Sequence, residues 1–456
     1  MKNFSIIRKS QLESAHRLDA EYFQPEYLDV ENKLNSIKTQ TISEISENVV
    51  NFGAYSLCNF IEWKDYGVPY LNVQNIKDGF IDFEGVKFID EEVNEILKKS
   101  KVAEGQIIIT MAGTIGNVAI AYNIPPKVNS NQATAKITLK KSVSPFYIVA
   151  FLNSHFGKSQ IIRDIVSSVQ PNIFLFQIKN FKIPIASGIE QNEIGDTYKK
   201  GLDEFENSKD FYQQAEGLLL EELGLRDFGF EKISSSIVNF SDISEARRMD
   251  AEYFQPKYEK IISKIEAQNH KRLDDLVSMK KGVEIGAEQY QDEGKFFIRV
   301  SSMGKFEING GNQKYLSEKL YEELKNDFQP QFGEILLTKD ATPGIAYVLK
   351  ENIEGIISGG TLRLKLKEEI ESEYLALCLN SIIGQMQAER DAGGSVIAHW
   401  KPEQIKNVVI PILPQSTQQK IAVLVRQSHE ARKKAKELLE EAKRKVEEMI
   451  EKGDEK

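Results

Sequence analysis

The sequence has almost no cysteine and no long uninterrupted run of apolar residues. The two cysteines, Cys58 and Cys378, are too few for a disulfide framework and lack Cys-x-x-Cys spacing. No stretch approaches the roughly 18 apolar residues that span a bilayer. The first residues carry basic side chains but no apolar core of signal-peptide length. We therefore expect a soluble protein of the reducing cytoplasm, without a membrane partner.

The motifs of common catalytic sites are also missing. The sequence contains no GxxxxGK[ST] phosphate loop, no HExxH and no GxSxG, and its five histidines have no metal-ligand spacing. The NIPP stretch (residues 123–126) is similar to the Asn-Pro-Pro-aromatic motif of adenine methyltransferases, but Lys127 follows it, which indicates a turn. The glycines of AGTIG (residues 112–116) are too closely spaced for a dinucleotide fingerprint. We predict no metal, no cofactor and no catalysis by this chain alone.

The charge of the chain is slightly acidic, with a net value of −9. This value argues mildly against a protein that coats nucleic acid by bulk electrostatics, but local basic patches can still bind phosphates. The apolar fraction of 41% and the charged fraction of 28% are typical of a globular protein, and 456 residues suffice for two or three domains.

An internal duplication covers nearly the whole chain. The segment SIIRKSQLESAHRLDAEYFQP (residues 5–25) returns as SIVNFSDISEARRMDAEYFQP (residues 236–256). Four further segments match in the same order: GVPYLNVQNI with GKFFIRVSSM, EGQIIITMAGTIGNVAIAY with FGEILLTKDATPGIAYVL, NSHFG with NSIIG, and QIKNFKIPI with QIKNVVIPI. Because the order is kept throughout, we conclude that two large units share one fold.

Duplication for stability alone, as in solenoids, is one explanation. Solenoid repeats have about 20–45 residues, however, whereas each unit here has more than 200. Two large copies suggest two similar ligand sites, and the least similar parts should then discriminate between ligands. These are residues 51–63 against 278–290, and residues 167–176 against 394–403.

Each unit mixes strand and helix patterns. The runs IIIT (residues 107–110) and ILLT (residues 335–338) follow a glycine and predict buried strands. Gly113, Gly116 and Gly344 follow them and are interpreted as turn formers. Residues 144–154 and 371–381 carry helical periodicity, each with a serine near its start as the predicted cap. The predicted fold class is α+β.

Each unit ends in a pattern that predicts a long helix. Apolar residues recur at three- and four-residue steps in residues 189–223 and 418–450, with mainly acidic polar positions in the first and a basic excess in the second. Opposite charges beside apolar seams are typical of helices that pair. We predict an antiparallel coiled coil, about 45 Å long, which separates two tandem pseudo-symmetric domains. A surface helix packed on its own domain is the alternative.

The matched segments resemble those of type I restriction-modification specificity subunits over essentially the full chain. The resemblance rests on the GxIIIT…GTIG pattern and on an Ile-Pro-(Ile/Leu) segment that leads into a glutamine-containing helix, seen in residues 183–194 and 410–421. It implies a first target-recognition domain (residues 1–188), a first spacer helix (189–225), a linker with the second domain (226–415) and a second spacer helix (416–456).

The resemblance also implies a function and partners. Each recognition domain would read one half of a split, asymmetric site in double-stranded DNA. The paired helices would set the gap between the halves and dock two modification (methyltransferase) subunits. Restriction subunits would join for ATP-dependent translocation and cutting. S-adenosylmethionine, ATP and Mg are therefore expected on partner subunits, and no cofactor on this chain.

Candidate DNA-binding residues lie in the variable loops or at matched strand ends. Arg and Lys suit guanine, Asn and Gln suit adenine, and lysines, serines and backbone amides hold phosphates. In the first domain the predicted contacts are Tyr55, Ser56, Asn59, Asn72, Gln74, Asn75, Ser167, Ser168, Gln170 and Asn172. In the second they are Lys280, Lys281, Glu288, Gln289, Tyr290, Arg299, Ser301, Ser302, Lys339, Ser395, His399 and Lys401. For each position a solvated polar loop residue is the alternative.

Two other classes of protein remain open from the residues alone. One is a stand-alone methyltransferase-nuclease fusion, which would have to bind S-adenosylmethionine by itself. The other is a scaffold whose two domains bind proteins and whose helices form a dimerisation rod. Salt-sensitive binding to duplex DNA would argue against the scaffold.

Overall fold

A computed structural model describes residues 4–51, 61–166, 171–226, 228–229, 237–308, 313–393 and 398–453. The chain divides into two compact units. Unit 1 comprises Met1–Glu206 together with Arg432–Lys456, and unit 2 comprises Asn207–Ala431. Each unit mixes helices with small sheets, so the predicted α+β class is confirmed.

Unit 1 takes its elements from both ends of the chain. Its helices are α1 (Lys9–Ala15), α2 (Pro25–Ser36), α3 (Ile42–Ile45), α4 (Glu91–Ile96), α5 (Pro145–Asn153), α6 (His155–Asp164), α7 (Leu175–Lys179) and the first part of α8 (Gly188–Glu222). Its strands are β1 (Thr39–Thr41), β2 (Ser46–Asn51), β3 (Val68–Leu71), β4 (Lys87–Ile89), β5 (Lys101–Val102), β6 (Ile107–Thr110), β7 (Val118–Ile120), β8 (Val128–Ser130), β9 (Thr134–Leu139) and β10 (Lys182–Pro184).

Unit 2 repeats this order of elements. Its helices are α9 (Phe240–Ala246), α10 (Pro256–Glu266), α11 (Leu273–Leu276), α12 (Glu318–Phe328), α13 (Ser372–Asn380), α14 (Ile382–Asp391), α15 (Pro402–Lys406) and the first part of α16 (Gln415–Gly453). Its strands are β11 (His270–Arg272), β12 (Val277–Lys281), β13 (Lys295–Ile298), β14 (Lys314–Leu316), β15 (Ile335–Thr338), β16 (Ala346–Val348), β17 (Gly355–Ile357), β18 (Thr361–Leu366) and β19 (Val409–Pro411).

The sheets of the two units have matching topologies. Unit 1 has a four-stranded sheet in the order β2-β9-β6-β7, a second in the order β4-β3-β8-β5, and the pair β1-β10. Unit 2 has the corresponding sheets β12-β18-β15-β16 and β14-β13-β17, and the pair β11-β19. In both units one pairing is parallel, β3 with β8 and β13 with β17. The duplication seen in the sequence is therefore a duplication of the fold.

The central strand β6 is buried on both faces. Ile107 and Ile109 belong to the core that includes helices α5 and α6, whereas Ile108 faces the core of the second sheet. In β15, Ile335 and Leu337 lie in the helical core and Leu336 faces the second sheet. Successive side chains of a strand point to opposite faces, so a strand between two layers needs apolar residues at every position. The prediction of buried strands at IIIT and ILLT is confirmed.

The repeated Asn-Ser-x-x-Gly motif joins two helices to a strand. Asn153 donates through Nδ2 to the carbonyl of Val118 in β7 at 3.0 Å. The Ser154 hydroxyl accepts from the Gly157 N–H and caps α6. A Cβ on Gly157 would lie 2.2 Å from the carbonyl oxygen of Phe151, so only glycine permits this approach of α5 and α6. In unit 2, Asn380 likewise donates to the carbonyl of Ala346 in β16 and Gly384 likewise permits close approach of the helices, whereas the Ser381 hydroxyl accepts from the Ile383 N–H.

The two long helices contribute to the core of each unit. In unit 1, Tyr198 and Leu202 of α8 share a core with Leu439, Ala442 and Val446 of α16. Lys434 Nζ lies 2.5 Å from Glu204 Oε1, and Lys445 Nζ lies 3.2 Å from Glu193 Oε1. Within unit 1, the two helices therefore run in opposite directions. In unit 2, the buried hydroxyls of Ser208 and Ser428 lie 3.2 Å apart.

One predicted helix start is wrong and the other is confirmed. The Ser144 hydroxyl accepts from the Tyr147 N–H and caps α5. In unit 2, Glu371 occupies the cap position of α13 and makes no side-chain cap bond. Ser372 is the first residue of that helix, and its hydroxyl donates to Glu373. Among the described residues, no helix is long and apolar enough to cross a membrane.

Candidate nucleic-acid interface

Three strand ends meet in unit 1 at a point that we call junction 1. The Asn131 N–H, after β8, donates to the carbonyl of Leu71 at the end of β3, at 2.9 Å. The Met111 N–H, after β6, donates to Ala133 at 2.7 Å, just before β9 begins. The Ile173 N–H donates to Met111 at 3.0 Å. These bonds bring the loops that follow the three strand ends to one place.

Unit 2 has the same three backbone hydrogen bonds at its own strand ends, which we call junction 2. The Ser358 N–H donates to Ile298 at 2.9 Å, the Lys339 N–H to Gly360 at 2.9 Å and the Trp400 N–H to Lys339 at 2.8 Å. A Cβ on Gly360 would lie 2.8 Å from Cγ2 of Val300, so glycine allows the turn before β18 to sit close to the loop after β13. The backbone of the two junctions is therefore equivalent.

The side chains at the two junctions differ in charge and size. Equivalent positions, junction 1 first, are Asn72 and Arg299, Gln74 and Ser301, Met111 and Lys339, Ala112 and Asp340, and Asn172 and His399. Junction 1 thus presents uncharged amides, whereas junction 2 presents a guanidinium, an ammonium, a carboxylate and an imidazole. A shared scaffold with unlike polar groups is suited to two similar ligands that differ in detail.

Junction 2 contains a hydrogen-bonded cluster around Asp340. Lys339 is buried, and its Nζ donates to Asp340 Oδ2 at 2.5 Å. His399 is exposed, and its Nδ1 donates to Asp340 Oδ1 at 2.8 Å. Burial alone would raise the pKa of Asp340, but the hydrogen bonds from Lys339 and His399 outweigh it and lower the pKa. The carboxylate is therefore held ionised and fixes the orientation of both neighbours.

Arg299 and Tyr290 lie beside one another in junction 2. The guanidinium carbon of Arg299 is 5.8 Å from the centroid of the Tyr290 ring. The Tyr290 hydroxyl donates to the carbonyl of Ile285 at 3.3 Å, and its ring packs 5.5 Å from Phe297. A ring face beside a guanidinium orients it, so Tyr290 is a support for Arg299 more than an independent contact.

The polar side chains at junction 1 are amides. Asn131 Nδ2 donates to Asn72 Oδ1 at the long distance of 3.5 Å. Asn172 is half-buried, and its backbone forms bridges with Ala112 and Val166. Gln74 is exposed beside them. Amide side chains can pair with adenine through two hydrogen bonds, so this junction has the chemistry to read A·T base pairs.

A fully buried lysine lies in the sheet next to junction 1. Lys136 Nζ donates to the Ser130 hydroxyl at 3.2 Å, and burial lowers its pKa to about 8. The equivalent residue in unit 2 is Arg363, whose Nε and Nη2 each lie 2.9 Å from the carboxylate of Glu334. Gln106 replaces that glutamate in unit 1 and donates to Thr138 instead. The sheets of the two units thus differ in charge at these equivalent positions, next to the junctions.

Other predicted contacts of unit 2 form ion pairs of their own. Lys280 pairs with Asp327 at 2.7 Å. Lys281 pairs with Glu284 at 3.0 Å, and this pair lies against Gly359, beside Gly360 of junction 2. The remaining predicted positions, all exposed, are Glu288 and Gln289 in a short 3-10 helix and Lys401 at the start of α15. No contact joins them to the Asp340 cluster among the described residues, and their assignment stays a prediction.

Two of the predicted contacts are buried. Asn75 and Ser302 occupy equivalent positions and are each 1% exposed. Asn75 Oδ1 accepts from the Asn72 N–H, and its Nδ2 donates to Asp82. Asn75 therefore shapes the loop after β3, and burial removes both residues from the predicted DNA contacts. The other predicted positions Tyr55, Ser56, Asn59, Ser167, Ser168, Gln170 and Ser395 lie outside the described residues.

The sequence reasoning missed Asp340, Asn131 and Ser358. Asp340 is the second residue after the predicted strand, and it differs in charge from its counterpart Ala112 within a matched segment. That local mismatch was the available signal. Asn131 and Ser358 offered no comparable signal, because their role depends on the pairing of distant strands. Among the described residues, no group of His, Cys, Asp or Glu is arranged to hold a metal ion.

The chain thus carries two copies of one fold, with unlike polar groups at equivalent strand ends. A family model described as the type I restriction modification DNA specificity domain matches residues 37–216 and again residues 266–441. The chain therefore belongs to this family, and it carries two copies of the domain. The resemblance seen in the sequence, and the prediction of a DNA-recognition component, are confirmed at this level.

Individual relatives have low sequence identity with this chain. The specificity subunit of the type I restriction enzyme EcoBI from Escherichia coli is 28% identical over 129 residues, covering 28% of this chain and 27% of that relative. The type I restriction-modification S subunit from M. genitalium is 14% identical, with 91% of this chain and 95% of that chain covered and a TM-score of 0.41. The HsdS subunit from Thermoanaerobacter tengcongensis is also 14% identical, with 91% and 96% covered and a TM-score of 0.29.

Proposed function

We propose that this chain is the non-catalytic DNA specificity subunit of a type I restriction-modification complex, in which each unit reads one half of a bipartite, asymmetric site. The observation that carries the proposal is the pair of junctions. Their backbone hydrogen bonds are equivalent, whereas Asn72, Met111 and Asn172 are replaced by Arg299, Lys339 and His399. One docking geometry with two sets of side chains is what two different half-sites require.

The chemistry of the junctions suggests which bases each unit prefers. Asn72, Gln74 and Asn172 favour adenine, because an amide can both accept from N6 and donate to N7. Arg299 favours guanine, which presents two acceptors in the major groove. Asp340 could accept from the cytosine amino group if His399 turned away. We therefore expect an A·T-containing half-site for unit 1 and a G·C-containing half-site for unit 2.

We further propose that α8 and α16 form the antiparallel coiled coil that sets the distance between the half-sites. The contacts within unit 1 support this role, since acidic Glu193 and Glu204 of α8 pair with Lys445 and Lys434 of α16. The corresponding assignment is a first recognition domain in residues 1–188, spacer helices in residues 189–225 and 416–456, and a second recognition domain within residues 226–415.

The complete machine requires other chains. We propose that two methyltransferase subunits bind this chain and bring S-adenosylmethionine, and that restriction subunits, where they join, use ATP and Mg. The chain itself would hold none of these cofactors and would act in the cytoplasm. Isolated protein that bound S-adenosylmethionine would contradict the assignment.

The deciding experiment is methylation sequencing of single DNA molecules. Cells would carry this chain with the methyltransferase subunit encoded beside it, and would be compared with cells that carry the methyltransferase subunit alone. We expect a split motif that is methylated only when this chain is present. Unchanged methylation, with the complex shown to assemble, would favour a protein scaffold instead.

A further inference from the structure

Each unit begins with a segment that lies largely outside its own core. We call residues 5–25 and 237–256 the leading segments. They contain α1 and α9, and none of the described side chains of these two helices is buried. A helix of seven residues has little stability in water by itself. Both helices therefore lack the apolar packing that normally supports a short helix.

The leading segments expose large aliphatic side chains at equivalent positions. Ile6 and Leu18 are 88% and 85% exposed, and their counterparts Ile237 and Met249 are 101% and 86% exposed. Leu12 of α1 corresponds to Ile243 of α9. Three aliphatic positions at six-residue spacing are thus kept in both copies, although no core requires them. Exposed apolar side chains that recur in this way indicate an interaction surface.

The same clasp holds each leading segment against its unit. Arg17 forms a two-point ion pair with Asp19 and donates to the backbone carbonyl of Asp164 at the end of α6. Arg248 pairs with Asp250 in the same manner and donates to the carbonyl of Asp391 at the end of α14. The Arg17 guanidinium carbon lies 4.8 Å from the Tyr22 ring centroid, and that of Arg248 lies 4.7 Å from Tyr253.

The backbone adopts the same unusual conformation before each clasp. His16 and Arg247 have φ angles of 51° and 53°, in the left-handed region. Residues other than glycine adopt this region only where contacts with the surrounding structure compensate for the strain. The clasp and the turn therefore present the aliphatic positions of both segments in the same way.

We propose that the two leading segments, in addition to the paired helices, form equivalent docking sites for two copies of one protein partner, the methyltransferase subunit. This inference rests on the proposed function, which calls for two such subunits. The partner would present an apolar groove that accepts the exposed aliphatic side chains flanking α1 in one copy and those flanking α9 in the other. Each segment has about twenty residues, close to the 20–30 residues per side of a standard interface.

The charge of the segments favours protein over DNA as the occupant. Residues 5–25 contain three basic and three acidic residues, and residues 236–256 contain two basic and four acidic residues. A surface that binds phosphates needs an excess of basic residues. The two segments share exposed aliphatic side chains and not an excess of basic ones. An apolar groove on a protein can bind such side chains, whereas a DNA backbone cannot.

The test uses the full chain co-expressed with its methyltransferase subunit and measures stoichiometry by native mass spectrometry. We expect two methyltransferase subunits on the wild-type chain. Ile6→Glu with Leu18→Glu should leave one subunit bound, and so should Ile237→Glu with Met249→Glu. The four changes together should weaken binding of both by at least about thirtyfold, as expected for loss of a central apolar contact.

The control is a chain with Ile96→Glu and Phe332→Glu, which changes one exposed apolar residue in each unit outside the leading segments. It should bind two subunits. Hydrogen exchange on the unmodified complex gives a second readout that does not depend on folding of variants. We expect protection of both leading segments when the methyltransferase subunit binds.

Two results would overturn the inference while leaving the proposed function intact. One is a complex that methylates a split motif and keeps two subunits on the fourfold variant. The other is unchanged exchange of both segments on assembly. A homodimer of this chain that the same changes dissociate would also overturn it. Failure of the wild-type chain to direct any split-motif methylation would instead count against the proposed function.

Discussion

Asp340 is the residue on which the charge arrangement of junction 2 depends. It accepts hydrogen bonds from the buried Lys339 and from the exposed His399, and no acidic residue occupies the equivalent position in junction 1. Removing its charge would leave the ammonium of Lys339 without its neutralising partner and the imidazole of His399 without a fixed tautomer. The effect should be confined to the half-site that unit 2 reads.

We predict that Asp340→Asn lowers discrimination at the half-site of unit 2 by about tenfold, equivalent to about 1.4 kcal/mol, within the range for one base contact. The measurement is binding of the assembled complex to duplexes mismatched in one half-site at a time. Asp292→Asn is the control, because Asp292 pairs only loosely with Lys314, at 3.4 Å. Equal loss at both half-sites would contradict a local role for Asp340.

Lys136 should make unit 1 more stable as the pH rises. Its pKa in the folded state is about 8, below the ordinary lysine value of 10.5. Between these values the unfolded chain binds the proton and the folded chain does not, so the free energy of unfolding increases with pH. Below pH 8 the lysine is charged in both states, and the full desolvation cost opposes folding.

We therefore predict that Lys136→Met stabilises unit 1 at pH 7 by up to about 3 kcal/mol, from the usual conversion of a pKa shift, and that this gain shrinks above pH 10. The measurement is hydrogen exchange of unit 1 amides, with thermal unfolding in support. Lys141→Met, at an exposed position, is the control. A gain of the same size at both pH values would mean that packing, and not the buried charge, decides the effect.

At the scale of elements, the contact between α8 and α16 in unit 1 depends on a small residue. A Cβ on Gly201 would lie 3.0 Å from Cδ2 of Leu439 and 3.2 Å from the carbonyl oxygen of Ala435. Gly217 lies in the same helix, and a Cβ there would meet no atom within 4 Å. The two glycines form a matched pair, because a new side chain is crowded at one and free at the other.

We predict that Gly201→Val destabilises unit 1 by about 1–3 kcal/mol, as is usual for overpacking, and that Gly217→Val is close to neutral. Both changes introduce the same β-branched side chain into a helix, so their difference isolates the contact with α16. Thermal unfolding and exchange of α16 amides measure it. Equal effects of the two substitutions would show that helix propensity alone is responsible.

Elements with strong local signals were predicted well. The periodic regions 189–223 and 418–450 correspond to α8 (Gly188–Glu222) and α16 (Gln415–Gly453), since apolar spacing and flanking charge are visible along one stretch of chain. The predicted serine cap of α13 was wrong, because Ser372 lies inside the helix and its hydroxyl donates to Glu373. From the sequence alone, Lys136 is expected to be a solvent-facing residue of a strand. In the structure it is buried, because the second sheet covers it.

The candidate site was predictable only where it depended on the duplication. Arg299, Lys339 and His399 were predicted because they occupy strand ends or variable loops in matched segments, and the structure brings them to junction 2. Asn75 and Ser302 were predicted on the same grounds, but both side chains are buried, which the sequence alone does not reveal. The backbone bonds that form each junction join residues more than 20 positions apart, such as Trp400 and Lys339.

At the scale of the whole molecule, the proposed spacer can be lengthened without changing either junction. Seven residues inserted after Glu206 in α8, together with seven after Ala431 in α16, keep the heptad register of the apolar seam. Each insertion adds about 10.5 Å at 1.5 Å per residue, the length of about three base pairs at 3.4 Å each. We predict the same two half-sites separated by about three more base pairs.

Methylation sequencing measures the spacer directly. An insertion in α8 alone is the control, because it shifts one helix against the other and should abolish methylation of any regular motif. An unchanged gap with the double insertion would show that the helices do not set the distance. Altered half-site sequences would show that the junctions depend on the helices more than their local contacts indicate.

The composition of unit 1 has a consequence for how the chain is made. Its core includes Leu439, Ala442, Val446 and Ile450, which follow all of unit 2 in the sequence. At about 5–20 residues per second, a ribosome needs roughly ten to fifty seconds to pass from the end of the first part of unit 1 to its closing helix. Unit 2 is continuous and can finish earlier. The half of the protein that is synthesised first is therefore completed last, and during that interval part of its apolar core is not yet covered.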